Sequence, residues 1–371
     1  MKKTILLAAG ILSAALVSAK NPKIVVLEEE LLFGSEYASQ FHASTIAEAS
    51  NGDLVVACFG GRKEGADDVA TWMVRRKKGE SAWGKAFKIM DAVRLDGKNY
   101  LGAYNPVLFQ LPEYAGREML LFTKYGRNGS FSSCTGYIQR SSDCGESWSE
   151  PEKLGAMRTE TVGADKNQPL MVGNRIIAPS EGPNPLMKGQ WMEHYEISDD
   201  FGRTWRRVDL REHSDIVKHT KQPALLRMKD GSIRSYQRTA DGCIATSRST
   251  DGGETWSIQE PLPLKNNNSG IAATQLKDGR YLLAYDDNDT FTPGKTNGPR
   301  WPLVLAISKD GLNWKTIGTL AGPTKEGHHE FSYPSMITAK NGDVLIVFTY
   351  CGIDNDYRRR GNIKFMRLRI K

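Results

Sequence analysis

Titratable side chains crowd one stretch near the start of the chain, FHASTIAEASNGDLVVACFGGRKEGADD, residues 41–68. His42 stands at the entrance to a run that reads as a buried strand. An imidazole there can transfer a proton near neutral pH or, protonated, donate to an anion. Asp67 and Asp68 follow the Gly-rich GGRKEG loop and precede VATWMV, where a loop can lay a carboxylic acid over a ligand. A general acid at that place needs burial or a like-charged neighbour to raise its pKa, and Glu64 or the twin aspartate can supply one. The same charges equally suit a solvated turn paired with Arg62 and Lys63. His194, His213, His219, His328 and His329 have no metal-ligand spacing such as HExxH, so neither a metal nor a cofactor is expected. The five cysteines contain no CxxC; Cys134 and Cys144 can pair in an oxidising compartment or stay as buried thiols.

The elements that must position these groups are short. The chain has 36 glycines, 8 tryptophans and 13 tyrosines, and its apolar runs are brief and separated by NG, DG and GG. No sustained 3.6-residue apolar period is present, so the fold class is all-β. One motif recurs in register: SSDCGESW (Ser141 to Trp148), SDDFGRTW (Ser198 to Trp205), STDGGETW (Ser249 to Trp256) and the shortened SKDGLNW (Ser308 to Trp314). In each, Asp caps its own backbone, Gly takes a positive φ and Trp packs beneath to anchor the loop.

A second series lies between these loops. His42-Ala-Ser-Thr-Ile, Asn105-Pro-Val-Leu, Gln168-Pro-Leu-Met, Gln222-Pro-Ala-Leu, Gly270-Ile-Ala-Ala and Tyr333-Pro-Ser-Met each open a short apolar strand, followed by a turn and a second apolar strand. Hairpins recurring every roughly 50 to 60 residues are the spacing of propeller blades. The expected architecture is a six-bladed β-propeller, one domain over residues 20–371. The residues opening the innermost strands would then face one shared cavity. Singly, Asn-Pro or Gln-Pro is a strand-start device; as a ring, His42, Asn105, Gln168, Gln222, Gly270 and Tyr333 point to a binding site.

With four such loops, the Asp-box repeats, and six hairpins, nearly the whole chain after residue 19 resembles the sialidase (neuraminidase) superfamily, in particular its bacterial BNR-repeat, sialidase-like branch. That resemblance implies a carboxylate-binding arginine triad, a tyrosine nucleophile assisted by a glutamate, and an aspartate acid/base. Tyr333 in EFSYPSM matches the tyrosine. Arg300 matches the third arginine, eight residues before the Asp-box Ser308. Arg238, closing the outgoing strand of a hairpin, matches the second. The first arginine is replaced by His42 of FHAST, and the glutamate by Gln222. The acid/base aspartate falls at Asp67 or Asp68.

Two arginines converging on one point bind a carboxylate through charge-assisted, bidentate hydrogen bonds. Between them a tyrosine would have its phenolate stabilised, fit to serve as nucleophile or base. The resemblance thus implies an exo-glycoside hydrolase releasing a terminal acidic sugar, with Arg238 and Arg300 on its carboxylate; Gln222, Asn105 and Gln168 of the ring, with Arg62 of the charged loop, are the further expected substrate contacts. The departures at His42 and Gln222 suit a second reaction on the same scaffold, β-elimination of a uronate-containing glycan by a polysaccharide lyase. A propeller that only binds acidic glycans is the third reading. The net charge of +7 is scattered rather than clustered, which argues against a nucleic-acid partner. MKKTILLAAGILSAALVSA, residues 1–19, has the layout of a secretory signal peptide, too short to span a bilayer, so the expected destination is periplasmic or extracellular.

Overall fold

The computed structural model describes residues 22–371, apart from 132, 156–161, 185, 211, 213, 324–329 and 352–360. The leader at residues 1–19, His213, His328 and His329 therefore lie outside the described residues. The regular secondary structure described is almost entirely strand, arranged as six small antiparallel sheets that form the blades of a propeller.

Blade 1 is built from Gln40–Glu48, Leu54–Gly61, Ala70–Arg76 and Phe87–Met90, from the channel outward. Blade 2 contains Tyr100–Gln110, Met119–Arg127, Thr135–Ser141 and Glu152–Lys153, with the short Val93–Arg94 added beside Tyr100. Blade 3 contains Leu170–Val172, Arg175–Pro183, Trp191–Ser198 and Arg206–Val208. Blade 4 contains Lys221–Arg227, Ile233–Arg238, Cys243–Ser249 and Glu260–Lys265. Blade 5 contains Ala272–Gln275, Tyr281–Asp286, Leu303–Ser308 and Trp314–Ala321. Blade 6 takes three strands from the C-terminal end, Glu330–Thr338, Val344–Cys351 and Asn362–Ile370, and its outer strand, Ile24–Leu31, from the N-terminal end. Ile24 pairs with Ile370 and Leu31 with Lys364, so the ring is closed by backbone hydrogen bonds between the two ends of the chain.

A blade is covered on both faces by its neighbours, which is why its middle strands read as continuous apolar runs rather than alternating ones. The core is accordingly a set of seams. Leu282, Leu303, Val344 and Phe348 fill the one between blades 5 and 6, and Val56, Cys58, Val347 and Phe365 the one between blades 6 and 1.

The four Asp boxes hold their loops as expected. Ser198 Oγ donates to Asp200, which accepts from the Thr204 backbone N–H at 2.8 Å, and the other boxes repeat the pattern. Their tryptophans also reach across a seam. Trp205 of blade 3 meets Phe122 of blade 2 at 5.6 Å, Trp256 of blade 4 stacks on Tyr195 of blade 3 at 3.8 Å, and Trp314 of blade 5 meets Tyr236 of blade 4 at 5.5 Å. Polar bonds follow the same direction: Arg140 donates to the Gly202 carbonyl, Arg175 to that of Gly252 and Tyr236 to that of Gly311. Each box therefore fastens its blade to the preceding one.

Candidate active site

The up-and-down course of each blade dictates where side chains gather. An inner strand leaves one end of the channel and the second strand returns to it, so inner-strand starts, second-strand ends and third-strand starts share that end. Glu330 and Tyr333 open the inner strand of blade 6, and His42 lies early in that of blade 1. Arg238 and Asp286 are the last residues of the second strands of blades 4 and 5. Arg300 shortly precedes the third strand of blade 5, beginning at Leu303. The Asp boxes, at third-strand ends, fall at the opposite end.

Tyr333 is at the centre of the cluster. Arg238 Nη1 donates to its hydroxyl at 3.2 Å, and the guanidinium carbons of Arg238 and Arg300 lie 5.4 and 5.3 Å from its ring centroid. The His42 ring is 4.3 Å away. Glu330 orients the group: its Oε1 accepts from Arg300 Nη1 at 2.8 Å and from Ser332 Oγ at 2.6 Å, and stands 4.0 Å from His42 Nδ1. Thr349 Oγ1 holds the same imidazole nitrogen at 2.8 Å. Burial works against the Arg300 charge, but Glu330, Tyr333 and Glu64 outweigh it and keep the guanidinium firmly ionised. Beside His42 and Tyr333, Phe59, Tyr104 and Phe131 form an apolar wall with Ala43, Ala66 and Val69.

The inner strands share a bulge that revises the sequence register. Ala43, Asn105, Gln222 and Tyr333 have φ of 52°, 46°, 50° and 54°, each inside a register shift of its hairpin. Three of them precede proline, which disfavours the right-handed helical region, and the inserted residue bends the strand. The member of the ring in blade 1 is thus Ala43, and His42 corresponds to Tyr104, Lys221 and Ser332. Its ring reaches Tyr333 from the neighbouring position. In blade 5, a Cβ on Gly270 would lie 3.4 Å from Tyr333 Cα and Cγ, so the glycine backbone packs closely beside the tyrosine.

Other residues singled out by sequence are placed differently. Gln168 spends its amide on the carbonyls of Ile46 at 2.6 Å and Leu108 at 3.0 Å, stitching inner strands together. Gln222 and Asn105 are buried at their bulges; the Gln222 N–H donates to Glu181 and its carbonyl accepts from Asn167. Arg62, largely exposed, pairs with both Asp67 and Asp68, and Arg94 takes the other oxygen of Asp67. Partial burial of Asp67 is outweighed by these two arginines, which hold its carboxyl below the ordinary range, opposite to the expected general-acid shift. All five cysteines are thiols, so Cys134 and Cys144 do not form a disulfide.

Three site residues escaped the sequence reading. Lys166, fully buried, donates to Asn167 and to the carbonyls of Ile271 and Pro334 just behind Tyr333; burial and then Arg238 push its ammonium well down. Glu330 lies three residues before Tyr333 in EFSYPSM, where its residue type and spacing assign it no role. Asp286 occupies in blade 5 the strand-end position that Arg238 holds in blade 4, and aligning YLLAYD with IRSYQR would have exposed it. Among the described residues no group of three or more His, Cys, Asp or Glu is arranged to hold a metal ion.

A six-bladed propeller with two arginines around a tyrosine at one end of its channel defines the class of protein. The chain belongs to the BNR repeat-like domain family, which matches residues 52–346. It is 26% identical over 232 residues to the anhydrosialidase of Macrobdella decora, a match covering 57% of this chain but only 29% of that relative. Among solved structures, a protein of unknown function from Dyadobacter fermentans DSM 18053 superposes with a TM-score of 0.71 at 18% identity, covering 94% of this chain and 99% of that one. The intramolecular trans-sialidase from Ruminococcus gnavus, solved with oseltamivir carboxylate, superposes with a TM-score of 0.67 at 14% identity, covering 91% and 96%. At these identities the structural likeness establishes the fold.

Proposed function

We propose that this protein is a sialidase-like exo-glycoside hydrolase that releases a terminal acidic sugar, sialic acid or a close analogue, from glycans. The observation that carries the proposal is the placement of the Arg238 and Arg300 guanidiniums 5.4 and 5.3 Å from the Tyr333 ring. The pair takes the sugar carboxylate, His42 adds a donor where the family has another arginine, and Tyr333, giving its proton to solvent, attacks the anomeric carbon; water then cleaves the glycosyl–tyrosine bond and frees the sugar and the tyrosine. The leaving oxygen takes its proton from Asp67 or Asp68, which requires the ligand to displace the Arg62 pairing. The leader at residues 1–19 supports export from the cytoplasm. Hydrolysis of a fluorogenic sialoside, with kcat/KM falling by at least about 10^3-fold in Tyr333→Phe, is the expected result. No hydrolysis over a panel of acidic glycosides would sink the reading.

A second reading, a lyase acting on uronate-containing glycans, draws support from the Tyr333 hydroxyl being held by Arg238 while an amide, Gln222, stands where the family has a carboxylate. There Tyr333 would remove the proton α to the uronate carboxylate, with the arginines stabilising the resulting enolate. An unsaturated product absorbing in the near ultraviolet distinguishes it from hydrolysis.

A further inference from the structure

Asp286 has no place in either mechanism. It closes the second strand of blade 5 and is 0% exposed, and among the described residues neither carboxylate oxygen has a hydrogen-bond partner. The groups acting on it are Ser269 from the segment leading into the blade, Arg300 from the loop that follows, Glu330 from blade 6 and Lys166 from blade 3. Ser269 offsets part of the cost of burial without closing a bond of ordinary geometry. An ionised carboxylate left bare in such a place is expensive, whereas the neutral acid is tolerated. Burial, opposed by Ser269 and Arg300, accordingly carries its pKa to about 8.

We propose that Asp286 is a positioning residue which, while it carries no charge, adds no further carboxylate to Glu330 and Glu64 around Arg300 and so keeps the arginine pair attractive to an anionic ligand. The inference rests on the reading that Arg238 and Arg300 receive the ligand's anionic group. Ionisation of Asp286, which pairs with Leu303 just after Arg300, adds a further carboxylate to those around Arg300 and weakens the positive potential that draws an anion. Because Asp286 is 0% exposed, it acts through Arg300 and does not touch substrate. An anion bound on the arginines must in turn favour the protonated acid, so binding takes up a proton once the pH exceeds that of half-ionisation.

Calorimetric binding of two probes between pH 6 and 9.5, free N-acetylneuraminate and sulfate, tests this with the full chain. Wild-type affinity is expected to hold at low pH and then fall by up to tenfold per pH unit above about 8, whereas Asp286→Asn keeps its affinity throughout. Asp286→Ala serves beside it should the amide disturb packing, since any uncharged residue must give the flat profile. Parallel loss of affinity in wild type and both variants overturns the inference, as does failure of both probes to bind wild type. If the sugar acid fails while sulfate binds with a pH loss confined to wild type, the sialidase reading falls and the role of Asp286 stands.

Discussion

Arg238 donates to the Tyr333 hydroxyl, and in the proposed reaction Arg238 and Arg300 together hold the sugar carboxylate. Arg300→Lys should therefore raise KM for an acidic sugar by about tenfold to a hundredfold, because a point charge cannot reproduce a guanidinium's two parallel bonds worth about 1.5–3 kcal/mol. Steady-state kinetics with an acidic and a neutral glycoside would show the loss only for the acidic one. Asp67 and Asp68 separate by leaving group. Substitution of the true proton donor by Asn should cost on the order of 10^2 in kcat on a natural glycan and little on an activated aryl glycoside, which needs no protonation. Equal losses on both substrates would assign the pair to holding the Arg62 loop. Of these residues, Arg238, Arg300, Tyr333 and His42 were legible because each sits at a fixed offset from a repeated motif. Asp286, Lys166 and Glu330 were not, since their meaning lies in whom they face across blades.

At the scale of elements, the Asp box acts as a clip between blades. Trp256→Ala removes a ring stacked 3.8 Å from Tyr195 and should cost about 3 kcal/mol in urea unfolding. Trp148→Ala should cost less, since the Trp148 indole N–H has no hydrogen-bond partner, whereas Trp256 Nε1 donates to Gly253. The boxes also set the acid limb of stability. Partial desolvation of Asp143 and Asp200 is outweighed by hydroxyl and backbone N–H donors from Ser147 and Thr204, leaving both carboxyls at about 2 against an ordinary 3.8. A carboxylate lowered on folding stabilises above its unfolded pKa and ceases to do so as pH falls through the folded one. Asp200→Asn should thus flatten the dependence of melting temperature on pH between about 4 and 2; an unchanged slope would show that the box carboxylate is not part of it.

The whole molecule is held by its closure. Blade 6 is incomplete without Ile24–Leu31, whose backbone pairs with Asn362–Ile370 and whose Glu28 bridges to Arg76 of blade 1. Removing residues 22–31 should lower the urea midpoint and weaken acidic-sugar binding, because Glu330 and Tyr333 lie on that blade. A synthetic peptide of residues 22–31 added in trans should restore both. Unchanged stability after the deletion would mean that the inter-blade seams alone close the ring.

The sequence by itself determined the class, the number of blades and the ends of the hairpins, because turns, Asp boxes and strand-opening X-Pro pairs are local devices repeated in register. It also singled out the arginines and the tyrosine, whose positions relative to those devices are fixed. Only the tertiary structure decided which side chains meet. A one-residue bulge moved the blade 1 ring position from His42 to Ala43, and Gln168 turned out to be spent on backbone carbonyls. The Arg62 network tied down Asp67 and Asp68, and ring closure brought Asp286, Lys166 and Glu330 around Arg300 and Tyr333. Those relations depend on burial and on contacts between blades far apart in sequence, and neither is encoded in the spacing of residues along one strand.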